Sequence, residues 1–173
     1  QLTGVPSGVT LTTNDVTQWR LQTEFDPTAA TFNSSSANLN QVWNLCHYSM
    51  EALTFDGIYV DGDRERLPYE ADSYIHQMTS YGAVNDFTLP RCSFEYLANH
   101  LTWPTEWPMH MVFIAWADYQ QTGDLYLMTK YYGFLTNQFR MNYARSDGLI
   151  AGVNMANSSG NRDIVDWPAS DRD

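Results

Sequence analysis

Five carboxylates, Asp61, Asp63, Glu65, Glu70 and Asp72, fall within twelve consecutive positions, where random placement of the chain's 20 acids over 173 residues would put between one and two. Arg64 and Arg66 reduce the segment's charge only to -3. Crowding of this kind is electrostatically unfavourable, so it calls for solvation, a cation or a polar ligand. The stretch follows an apolar run, Ile58, Tyr59 and Val60, and itself contains Leu67, Pro68 and Tyr69. That composition suggests a loop partly buried between helices, and carboxylates buried in a rigid loop mark functional sites.

Three chemistries compete for the segment. A merely solvated acidic turn is the bland one. A calcium loop would use Asp61, Asp63, Glu65, Leu67, Tyr69 and Asp72 at its positions 1, 3, 5, 7, 9 and 12. It fails at position 6, where Arg66 stands in place of the glycine that allows the sharp turn and brings a repelling charge. Position 12 is also Asp rather than the bidentate Glu. The third chemistry is acid–base cleavage of a glycosidic bond, which needs a protonated carboxylic acid beside the leaving oxygen. Flanking guanidinium groups would oppose a proton on Glu65. The conflict eases if Asp61 and Asp63 claim the arginines and Glu65 faces Asp72 or Glu70 in a drier pocket.

Sugar rings pack their C–H faces on aromatic side chains. Tyr69, Trp103, Trp107 and Trp167 all lie in loop-like stretches near acids or prolines, as in Trp103-Pro104-Thr105-Glu106-Trp107-Pro108 and Asp166-Trp167-Pro168. Trp43 and Trp116 sit inside helical patterns and read as core. His47, His76, His100 and His110 show no metal-ligand spacing, so neither a metal nor a cofactor is expected.

The elements that must position these residues are helical. Behind Ser36 as N-cap, Leu39, Val42, Trp43, Cys46, Met50 and Leu53 repeat at helical spacing to about Phe55. Further helices are predicted near 72–82, 88–100 and 109–122, the last stopping at Gly123, and another runs from Asp124 to about Tyr143. Before Ser36, Val9–Thr13 and Trp19–Thr23 alternate like strands. The division is therefore 1–36, a β-strand or linker segment from an upstream domain, and 37–173, an all-α domain of about five helices. Cys46 and Cys92 read as buried thiols. Asn33-Ser34-Ser35 and Asn157-Ser158-Ser159 fit the glycosylation acceptor pattern.

Composition excludes several classes. Acids outnumber bases 20 to 9, for a net charge of -11, which removes a nucleic-acid footprint and attraction to anionic membranes. The longest apolar run, Met111 to Ala117, is far short of the roughly 20 residues that cross a bilayer. A soluble protein is expected. Gln1 opens the chain, as in a processed protein or an excerpt.

The run Asp61-Gly-Asp-Arg-Glu-Arg-Leu-Pro-Tyr-Glu-Ala-Asp72 resembles the signature loop of α-L-rhamnosidases of glycoside hydrolase family 78. Leu39-Asn-Gln-Val-Trp43, Trp103-Pro-Thr-Glu-Trp107, Trp116-Ala-Asp-Tyr119, Thr122-Gly-Asp124 and Ile164-Val-Asp-Trp-Pro168 extend the likeness from about Phe32 to Asp173. The resemblance implies an (α/α)6 six-hairpin barrel, here a partial one, and an inverting hydrolase that releases terminal L-rhamnose from plant glycosides or polysaccharides. Glu65 takes the position of the general acid and Asp72 that of a carboxylate gripping rhamnose hydroxyls. Tyr69 stands where many members carry a tryptophan. Either Asp61 or Asp63 fills a substrate-binding position, with Arg64 between them and Glu65. Trp103, Trp107, Asp166 and Trp167 contribute walls, and Glu106 joins the binding set as a conceivable substitute base.

The family's base is a Glu from the later half of the barrel, expected beyond Asp173, so the rest of the toroid is expected in the same or a partner chain. An acidic chain with a polysaccharide-type substrate favours the extracellular space or periplasm over the cytoplasm. Two rivals remain: a non-catalytic carbohydrate-binding module, and a six-hairpin glycosidase with another sugar preference.

Overall fold

The computed structural model describes residues 3–19, 22–62, 64–102 and 106–150. Among them are six α-helices and a two-stranded hairpin: α1 Ala37–Ala52, β1 Thr54–Phe55, β2 Ile58–Tyr59, α2 Glu70–Ser80, α3 Thr88–Asn99, α4 Glu106–Thr122, α5 Tyr126–Lys130 and α6 Tyr132–Gln138.

Helix α1 starts where its cap predicts. The Ser36 hydroxyl accepts the Leu39 N–H, and the Asn40 side chain ties the helix to the chain before it, accepting from Ser34 N (2.9 Å) and donating to Ser34 O (3.0 Å). Helix α4 ends at Gly123, whose φ of +73° is a left-handed exit that glycine adopts without strain. The expected helix from Asp124 to Tyr143 is instead interrupted. Tyr131, at φ -110° and ψ 19°, separates α5 from α6, and left-handed Arg140 precedes a 3-10 turn over Met141–Tyr143. Gly133, a weak helix former, sits inside α6 rather than at the break, so the sequence pattern does not mark where the helix is interrupted.

The strands expected at Val9–Thr13 and Trp19–Thr23 are corrected to irregular chain among the described residues. Thr12 and Asp15 form a capping box around a 3-10 turn, Thr13–Asp15, that begins at the end of the first alternating stretch. Alternation marks a strand only where a partner edge exists to pair with it.

The hairpin between α1 and α2 was not foreseen. Phe55-Asp56-Gly57-Ile58 pairs antiparallel with Thr54 opposite Tyr59 and Phe55 opposite Ile58. Asp56 (φ +53°) and Gly57 (φ +80°) are both left-handed, as a two-residue primed turn requires, and an Asp-Gly pair between apolar residues is the sequence signal for it.

Helix α2 packs most extensively on α4, and α3 packs against both. Phe94 and Leu97 of α3, Met111, Ile114 and Ala115 of α4, Leu127 of α5 and Leu135 of α6 form the main core; a smaller cluster joins Met50, Tyr59 and Leu89. Buried Gln77 crosses from α2 to donate to the Ile114 carbonyl of α4 at 3.0 Å.

One ion network clamps the helices. Arg91 of α3 donates through Nε to both oxygens of fully buried Asp118 (3.0 and 3.1 Å), reaches Thr122 Oγ1 at 3.2 Å and pairs with Asp124 at 3.0 Å. Two of the motifs singled out in the sequence, Trp116-Ala-Asp-Tyr119 and Thr122-Gly-Asp124, thus converge on a single guanidinium.

Other expectations about burial are corrected. Cys46 and Cys92 are exposed rather than buried. Trp116, read as core, is 51% exposed, while Trp43 is half-buried and stacks on Phe32 with centroids 5.5 Å apart. Helical spacing shows that a residue shares a face, not whether a neighbour covers that face.

Candidate functional site

The hairpin aims the acidic loop. Tyr59, 1% exposed, donates its N–H to Ser93 Oγ at 2.9 Å, and Val60 N–H reaches Leu53 O at 2.9 Å, so the chain enters position 61 from a fixed base. From there the loop closes on itself. Asp61 N–H donates to Leu67 O (2.8 Å), and the Arg66 N–H donates to Gly62 O (3.2 Å) and to the Asp61 carboxylate (3.2 Å). Arg66 adopts a left-handed φ of +51° to make this turn. A loop that satisfies its own backbone needs no cover, and Arg64, Glu65, Arg66 and Leu67 are exposed. The partial burial expected for the loop is found at its ends, where Asp61, Pro68 and Tyr69 are half-buried, and not at its tip.

Two tyrosine and arginine contacts hold Glu65. Arg64 forms an ion pair with one carboxylate oxygen, and the Tyr69 hydroxyl donates to the other at 2.8 Å. The Glu65 side chain is 33% exposed. The arginine bookkeeping expected from the sequence is therefore corrected: Arg64 sits on Glu65, not on an aspartate. Arg66 turns away, its guanidinium meeting the Ala52 carbonyl at the end of α1 and lying over the Phe55 ring at 5.5 Å. Asp61 is engaged by a backbone N–H instead, and Asp63 lies outside the described residues.

Glu70 does not face Glu65. It is fully buried at the first position of α2, and its two oxygens accept the backbone N–H (2.8 Å) and the hydroxyl of Thr102. It is a strap between the acidic loop and the loop that leads into α4. Asp72, in the first turn of α2, is half-buried. His76, one turn further on, lies edge-on to Tyr59 with centroids 5.7 Å apart. Burial holds its imidazole below the usual value, and the charge of Asp61 opposes that shift.

Beside Glu65, a cleft of about 360 Å³ is lined by Leu67, Pro68, Tyr69, Tyr96, His100 and Thr102. Its size suits a small ring-bearing ligand. Among the described residues the rings here are phenol and imidazole, and of the expected indoles the described one, Trp107, does not line the cleft. Tyr96 and His100 stack with centroids 4.3 Å apart and planes 18° from parallel, and His100 Nδ1 donates to the Tyr96 carbonyl at 2.8 Å. Both lie at the end of α3, outside every motif noticed in the sequence; their i, i+4 spacing was the available signal.

Glu106 and Trp107 open α4, and neither lines this cleft. The Trp107 ring packs near His110 at 5.7 Å. Trp103, Asp166 and Trp167 lie outside the described residues. The structure thus brings together Arg64, Glu65 and Tyr69, places Asp61 at the root of the same loop and Asp72 on the helix that follows it, and keeps Glu106 and Trp107 on the neighbouring element. Among the described residues, no three His, Cys, Asp or Glu side chains converge as a metal site, and no helix is long and apolar enough to cross a membrane.

Residues 27–173 match the family model of the bacterial α-L-rhamnosidase six-hairpin glycosidase domain. No curated protein and no solved structure matches the chain.

Proposed function

Because this chain belongs to the bacterial α-L-rhamnosidase six-hairpin glycosidase family, we propose that it supplies the general-acid half of an inverting glycoside hydrolase that releases terminal α-L-rhamnose. Glu65 is the proton donor in this reading. The observation that carries it is the placement of Glu65 on a self-closed loop at the edge of a ring-lined cleft, with Tyr69 both bonded to its carboxylate and forming a wall of that cleft. Asp61 and Asp72, from the same loop and the helix it feeds, grip the rhamnosyl hydroxyls.

Inversion requires a second carboxylate about 6.5–9.5 Å from the acid, with water between them. The remainder of the barrel supplies that base in this proposal. An exposed apolar cleft of about 390 Å³ on α4 and α6, walled by Phe113, Trp116, Tyr132 and Phe139, supports a further helical layer.

Replacing Glu65 by Gln in the full-length protein tests the assignment. Rhamnose release should fall roughly 10²- to 10⁴-fold, as for loss of a general acid. The loss should be greater on an alkyl rhamnoside than on a nitrophenyl rhamnoside, whose leaving group needs less protonation. Near-normal turnover on both would remove Glu65 from the role. The anomeric form of the first sugar released, followed by NMR, reports inversion or retention.

A further inference from the structure

We infer that the cleft between the acidic loop and the end of α3 holds the leaving group, and that it selects a planar aromatic one through the Tyr96–His100 pair. The inference rests on the glycosidase reading above and adds to it the identity of the group on the far side of the scissile bond.

Position comes first. A general acid protonates the leaving-group oxygen, so the space beside it that does not hold the cleaved sugar receives the leaving group. Tyr69 belongs to both structures: its hydroxyl donates to Glu65 at 2.8 Å, and its side chain forms a wall of the cleft. Proton donor and cleft are therefore one side chain apart.

Chemistry then selects the occupant. A sugar ring needs partners for several hydroxyls, and among the described residues none that lines the cleft is an acid or an arginine. The nearest buried carboxylate, Glu70, is spent on Thr102. What the described lining offers is apolar surface from Leu67 and Pro68 and the faces of three rings, while the hydroxyls of Tyr69 and Thr102 are engaged by Glu65 and Glu70. The Tyr96–His100 stack is preorganised, since the His100 Nδ1 hydrogen bond to the Tyr96 carbonyl fixes the imidazole plane. With that nitrogen donating, Nε2 of the neutral ring is left as an acceptor for a phenolic hydroxyl. A rigid aromatic pair loses little freedom when a third ring joins it.

Tyr96→Ala and His100→Ala in the full-length protein test this, with 4-nitrophenyl α-L-rhamnoside, a rhamnosyl-glucose disaccharide and L-rhamnose as probes. Each variant should lose roughly 3- to 10-fold in kcat/KM on the aryl substrate, the range expected for one aromatic contact. The disaccharide kcat/KM and the inhibition constant of L-rhamnose should stay within about twofold of the parent. Where Tyr96→Ala does not fold, Tyr96→Leu keeps the bulk and removes the ring. Unchanged aryl turnover overturns the inference. So does an equal loss on the disaccharide, which would make the leaving group a sugar, or equal weakening of L-rhamnose, which would put the cleaved sugar in the cleft. A parent protein that releases rhamnose from neither substrate defeats the glycosidase reading itself, an outcome distinct from a parent that turns over and variants that do not discriminate.

Discussion

At the scale of residues, His76 carries a consequence for pH. Its imidazole is held below the ordinary value near 6.5 by burial, and Nδ1 is buried with no hydrogen-bond partner among the described residues. A depressed value means that below about pH 6.5 the unfolded chain takes up the proton before the folded one does, so stability is complete above that pH and declines as pH falls. Thermal unfolding should show a lower Tm at pH 5.5 than at pH 7.5, and His76→Gln should flatten the slope in that window; an unchanged slope would place the titrating group elsewhere. The same scale shows what the sequence could reveal. The crowding of acids from Asp61 to Asp72 is a local property and marked the loop. That Glu70 would serve Thr102 depended on a contact 32 residues distant, which leaves no local pattern.

Elements were legible where their ends carry chemistry. Ser36 capped α1, Gly123 closed α4, and α2 and α3 begin and end within two residues of their predicted bounds. The hairpin escaped because each of its strands has two residues, too few for a period to show, although Asp56-Gly57 announced the turn. What joins the elements is the Arg91 network, and it predicts an asymmetry. Arg91→Ala leaves the fully buried Asp118 carboxylate without its cation and should destabilise by about 3–5 kcal/mol in a denaturant titration. Replacing both partners, Arg91→Met with Asp118→Leu, should recover much of that loss, because the charge is removed along with its need. Equal losses in the single and double variants would show that packing, not charge, sets the cost.

For the whole molecule, the exposed face is the feature with the widest reach. Phe113 and Trp116 of α4 are each 51% exposed and Tyr132 of α6 is 70% exposed, around an apolar cleft. If further helices cover this face in the full-length protein, Trp116→Glu buries an unpaired charge and should cost more than about 2 kcal/mol. On a bare surface the same change would stay within about 0.5 kcal/mol, and calorimetry of the intact protein separates the two. The Glu70–Thr102 strap acts across the molecule in another way. It ties the acid's loop to the chain entering α4 through a fully buried carboxylate. The two lips of the mouth therefore travel together, and the width of the opening is governed by a threonine of its own rim, anchored to a carboxylate that no solvent reaches.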